Sequence, residues 1–157
     1  MHAGTQSGVR VDGASGTVIG DNVSPPGHAN QSGDRTNVIV GFATAGVYLN
    51  AAVNTKVTGS RIGTNRTGTT GMGNGVGVFV TGAGSNTIGP ENEIARNTTY
   101  GVDVGAAGNR IVANSIHDDG SLGIHAGAAV GIARPTISTA SLSGANTTVT
   151  GTFSGTA

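Results

Sequence analysis

A chain of 157 residues with 29 glycines, 3% aromatic and 10% charged residues has neither the aromatic mass for a large core nor the charge for a salt-bridged surface. Its 8 basic and 8 acidic residues balance and form no cluster, which argues against a phosphate backbone as partner. The absence of Cys excludes disulfides and thiolate zinc sites, and no run of roughly 18 apolar residues is present to span a membrane.

What remains apolar is small or β-branched (Val, Ile, Ala, with Thr), which suits closely stacked strands. With only 4 prolines and little charge, the composition points to an ordered all-β chain rather than a disordered one. Met1-His2-Ala3-Gly4 lacks the basic start and apolar stretch of a signal peptide. The expectation is therefore a protein kept inside, or a piece of a longer exported chain.

Gly8-Val9-Arg10-Val11 is the first copy of a repeat. It recurs as Gly46-Val47-Tyr48-Leu49, Gly77-Val78-Phe79-Val80, Gly101-Val102-Asp103-Val104 and Gly123-Ile124-His125-Ala126, at spacings of 38, 31, 24 and 22 residues. Each unit carries two further apolar beats: Val18, Val57, Ile88 and Ile111, then Ile39, Ile62, Ile94 and Ile116. Three short strands per unit make a three-sided coil, and coils bury their inward side chains only by stacking. Alternation turns Val102 and Val104 inward and Asp103 outward. The unit-opening glycines are expected at turns of positive φ. Asparagines before the second and third beats, as in Asn86-Thr87-Ile88 and Asn92-Glu93-Ile94, are placed to form ladders.

The fold expected is a parallel β-helix of about five coils over residues 1–133, with loop insertions at 20–36 and 63–76. Beyond Arg134-Pro135 the repeat stops, and residues 134–157 read as a Thr/Ser-rich strand pair around Ser143-Gly144-Ala145-Asn146, either docked on the last coil or opening a following module. Open coil ends imply self-association.

The run Val57-Thr58-Gly59-Ser60-Arg61-Ile62-Gly63-Thr64-Asn65, continued by Asn86-Thr87-Ile88-Gly89, Asn92-Glu93-Ile94 and Gly101-Val102, resembles the right-handed parallel β-helix repeats of large bacterial surface and secreted proteins. Those repeats belong to the pectin-lyase-like group. Pro135-Thr136-Ile137 and Thr148-Val149-Thr150-Gly151-Thr152-Phe153 are similar to the module that often follows them. The resemblance implies a segment of an extracellular or cell-surface chain. The group holds pectate lyases, polygalacturonases and non-catalytic adhesin-like repeats; the Arg-x-Lys of the polygalacturonases does not occur in this sequence.

Chemistry gathers at one outward position, Arg10, Tyr48, Phe79, Asp103 and His125. In stacked coils Tyr48 and Phe79 form an aromatic platform for a sugar ring or acyl chain, with Arg10 beside them as a substrate-binding group. Asp103 falls next to His125, where a carboxylate orients an imidazole for general-base catalysis; the bland alternative is one favourable cross-strand pair. Asp118 and Asp119, in His117-Asp118-Asp119-Gly120, offer adjacent carboxylates to Ca²⁺, the alternative being a solvated Asp-Gly turn. Glu93 falls beside Arg61 as a surface ion pair. His28, with Asp21 and Asp34 in the first loop, has no zinc-ligand spacing. Two functions fit: a structural or carbohydrate- and surface-binding module, or a polysaccharide, ester or lactone hydrolase or lyase, Ca²⁺-assisted if the acidic turn is a metal site.

Overall fold

The computed structural model describes residues 6–20, 37–127 and 136–152. Among these the chain is all β, and no helix is long and apolar enough to cross a membrane. Three parallel sheets run along a β-helix-like stack. The first contains β1 (Ser7–Asp12), β4 (Ala45–Asn50), β7 (Val76–Thr81), β10 (Val102–Val104) and β13 (Ile124–Ala126). The second contains β2 (Val18–Ile19), β5 (Lys56–Val57), β8 (Thr87–Ile88) and β11 (Arg110–Ile111). The third contains β3 (Asn37–Ile39), β6 (Ser60–Ile62), β9 (Glu93–Ala95) and β12 (Ser115–His117). Successive strands of the chain thus go to sheets one, two and three in turn, giving four full coils and the first strand of a fifth. A separate antiparallel pair, β14 (Thr136–Ser143) and β15 (Asn146–Thr152), follows.

Register in the first sheet is the one the repeat implies. Val9, Val47, Val78, Val102 and Ile124 are opposite one another, and Val47, Val78 and Val102 are fully buried. In the third sheet Ile39, Ile62, Ile94 and Ile116 form a second inward column. Each fully buried Val or Ile contributes roughly 1.5–3 kcal/mol, and these columns join Leu49, Val80, Val57 and Ile88 in one core.

The second sheet differs from expectation by one residue. Ile19, not Val18, pairs with Val57, and Val18 is 60% exposed. In a Val-Ile doublet both residues are apolar, so only the register of the neighbouring coil decides which one is buried.

The repeat glycines also serve a different purpose from the one expected. Positive φ occurs at Gly13, Gly20 and Gly63 among others, but not at Gly46, Gly77 or Gly101. Those three are required by close approach instead. A Cβ on Gly77 would lie 2.4 Å from the Gly101 carbonyl oxygen and 2.7 Å from Ile94 Cγ2.

Three side-chain ladders close the corners. Asn86 Nδ2 donates to Asn109 Oδ1, and Asn92 Nδ2 to Asn114 Oδ1, each at 2.9 Å. The third runs Asn74 to Asn97 to Asp119, each amide donating at 3.0 Å to the next residue's Oδ1. The second insertion is a folded excursion: Thr64 and Gly71 form an antiparallel bridge, and Asn65 Oδ1 accepts from the Thr69 and Thr70 amides. β7 begins at Val76, inside the expected limit of that loop. Of the first insertion only Gly20 is described; His28, Asp21 and Asp34 lie outside the described residues.

Candidate functional site

The five outward residues of the first sheet come from five coils and form one column. Arg10 pairs with Tyr48, Tyr48 with Phe79, Phe79 with Asp103 and Asp103 with His125. Each follows the inward Val or Ile of its strand, so the pleat turns it outward, and each ring or carboxylate is only partly buried.

Tyr48 and Phe79 stack with centroids 5.0 Å apart and planes 11° from parallel. The Arg10 guanidinium carbon sits 5.0 Å from the Tyr48 centroid, a cation–π contact of roughly 0.5–1 kcal/mol at an exposed site. The rings therefore share faces with one another and with Arg10, and the platform presents ring edges along the column rather than one broad ring face.

Beside this stripe, two residues further along β1, β4 and β7, lies a polar row. Arg10 Nε donates to Asp12 Oδ2 at 2.8 Å, and Asn50 Nδ2 donates to Asp12 Oδ1 at 2.8 Å. Thr81 Oγ1 is 3.3 Å from both the Tyr48 hydroxyl and Asn50 Oδ1. The hydrogen bond from Arg10, helped by that from Asn50, holds the Asp12 carboxyl below the usual aspartate range, and Arg10 is raised in return.

At the other end of the column His125 Nδ1 donates to Asp103 Oδ1 at 2.8 Å. That bond fixes the ring, and in the neutral imidazole it leaves Nε2 as the basic nitrogen. Among the described residues Nε2 has no hydrogen-bond partner. Tyr100 stacks on the His125 ring, with centroids 4.3 Å apart and planes 9° from parallel. Sequence reasoning missed Tyr100. Strict alternation puts it on the inward side with Val102, but the chain bends at Gly101 and the ring reaches the flank of the column.

No family model, curated protein or solved structure matches this chain. Function must be read from the site alone.

The two carboxylates of the acidic turn diverge. Asp119 Oδ1 accepts from the Asn97 amide at 2.9 Å and from Asn97 Nδ2 at 3.0 Å, as the last member of its ladder. Asp118 Oδ2 faces His117 Nδ1 at 3.1 Å and Arg96 at 3.6 Å. Each carboxylate thus has one oxygen engaged by protein partners, and no group of three or more His, Asp or Glu side chains placed to hold a metal occurs among the described residues. Arg61 donates to Glu93 at 2.9 Å, the expected surface pair, beside a cavity of about 310 Å³ lined by Glu91, Asn92 and Ser115.

Proposed function

We propose that this chain is a structural and carbohydrate- or surface-binding module of an exported bacterial protein, built as a right-handed pectin-lyase-like β-helix, and that it grips a polysaccharide along the first sheet. The observation that carries the reading is the double stripe. Stacked Tyr48 and Phe79, with the Arg10 guanidinium over Tyr48, supply apolar ring edges, and the hydrogen-bonded row Asp12, Asn50 and Thr81 supplies fixed donors and acceptors beside them. Sugar rings offer the complementary pair of surfaces, C–H faces and hydroxyl edges. Coils spaced about 4.8 Å apart repeat at close to the length of one sugar unit, so a chain laid along the stack meets the double stripe over the coils of β1, β4 and β7. The test is affinity electrophoresis through a panel of polysaccharides with wild-type protein and a Tyr48→Ala/Phe79→Ala variant. Retardation of the wild type and its loss in the variant are expected. No retardation by any polymer, or equal retardation of both proteins, would refute the reading.

A second reading rests on the Asp103–His125 pair. A carboxylate-oriented imidazole with an open Nε2 can take a proton from water as it attacks an ester, lactone or glycosidic centre. Turnover by the wild type that disappears in His125→Ala and Asp103→Asn favours the hydrolase. Sensitivity of that turnover to EDTA would bring Ca²⁺ into it, whereas no turnover on any ester or uronate polymer leaves binding as the function.

A further inference from the structure

Asp119 occupies a place where the other ladder members carry an amide. Relative to Gly46, Asn74 Nδ2 lies 2.8 Å from the position a Cβ would take; relative to Gly77, Asn97 Nδ2 lies at the same 2.8 Å; relative to Gly101, the atom found there is Asp119 Oδ2, at 2.5 Å. Asn74 Nδ2 donates to the Ile39 carbonyl and Asn97 Nδ2 to the Ile62 carbonyl. Ile39, Ile62 and Ile94 are register partners, so the equivalent acceptor for Asp119 is the Ile94 carbonyl. An ionised carboxylate has no proton to give it. Correspondingly, Asp119 Oδ2 is buried with no hydrogen-bond partner among the described residues.

We propose that Asp119 is carried as the neutral carboxylic acid, its Oδ2 proton standing in for the amide of the coils above, and that this proton is a pH-operated latch on the C-terminal end of the stack. The remaining Oδ1 keeps its two bonds from Asn97 in either state, so protonation adds a bond without removing one. Burial pushes the Asp119 carboxyl above the usual aspartate range, against the Asn97 hydrogen bonds and His117, which pull it down, while Asp118 adds to the rise. The groups facing it are His117 and Asp118 on its own turn, with Arg96 reached through Asp118 and Glu93 through His117.

The sign follows from the raised value. Stability from the acid form is complete below the unfolded aspartate pKa of about 3.9 and is lost as pH rises through the higher folded value. Latch opening acts locally. The turn at Asp119 leads into β13, which carries His125, and the Gly120 and Ser121 amides bind the coil above at Asn97 and Thr99.

The experiment is amide-exchange protection of Ser121 between about pH 4 and pH 8, corrected for intrinsic exchange, in wild type and Asp119→Asn, each also in a His117→Gln background to remove the histidine's own titration. Wild-type protection is expected to fall as pH rises through the raised folded value of Asp119, while Asp119→Asn stays level. Parallel behaviour of the two proteins would overturn the proposal. So would a ¹³C titration of the wild-type Asp119 carboxyl at or below the ordinary aspartate value.

Discussion

Truncating Asn86 tests how much of this fold the ladders hold. Asn86 is 1% exposed. Its Oδ1 accepts from the Thr55 amide at 2.9 Å, and its Nδ2 donates to the Ala52 carbonyl at 2.8 Å and to Asn109 Oδ1 at 2.9 Å. In Asn86→Ala, Asn109 Oδ1 keeps its bond from the Asn86 backbone amide at 3.0 Å. The Thr55 amide and Ala52 carbonyl keep nothing among the described residues, and both belong to buried residues. Each buried orphan costs about 1–3 kcal/mol. Entry of a water into the vacated space offsets part of that, so a loss of about 3 kcal/mol is expected. Urea denaturation at constant m-value reads it directly, and a thermal scan should show a fall of roughly 6–12 °C. Asn86→Asp sharpens the argument: it keeps the shape but sets an oxygen against two acceptors, so it should cost more than Ala at neutral pH and less in acid. A loss below about 1 kcal/mol for Asn86→Ala would refute the view that the ladder amides are structural members.

Other outcomes follow from the same geometry. Gly77→Ala drives a Cβ onto the Gly101 carbonyl oxygen, which is backbone and cannot swing aside; a loss of about 1–3 kcal/mol is expected. Among the described residues Gly127→Ala meets nothing closer than 3.5 Å, and it should change stability by under about 0.5 kcal/mol in the same assay. Because its folded value is lowered, Asp12 contributes above the unfolded aspartate pKa and stops contributing as pH falls through the folded value. An NMR titration should therefore find the Asp12 carboxyl still charged when an ordinary aspartate is half protonated, and Arg10→Gln should move it upward.

Much of the architecture was legible because the repeat encodes it twice, in spacing and in alternation. The column from Arg10 to His125 follows from Gly-Val-x-Val alone, since the pleat leaves the middle residue no other side. The Asn ladders follow from amides at equivalent corners. Where reading failed, the residue type was ambiguous and the neighbouring coil decided. Val18 and Ile19 are interchangeable by hydropathy. The unit-opening glycines looked like turn residues but are excluded-volume positions under the next coil. The ladder role of Asp119 went unread beside Asp118, although its spacing carries it: 22 residues separate it from Asn97, as they separate Asn92 from Asn114 and Gly101 from Gly123. Tyr100 left no periodic signal, because a bend in the backbone, not alternation, brings it to His125.

The central claim is that residues far apart in sequence form one column, one per coil, and cysteine cross-linking tests it most directly. The chain has no native Cys, so a Tyr48→Cys/Phe79→Cys double variant carries no background. Parallel partners in adjacent coils lie about 4.8 Å apart, within disulfide reach, whereas residues two coils apart are about twice that and beyond it. Rapid oxidation of Tyr48→Cys/Phe79→Cys, with none in Tyr48→Cys/Asp103→Cys under the same conditions, is the predicted result. Equal cross-linking of both pairs, or of the second alone, would contradict the stacked register.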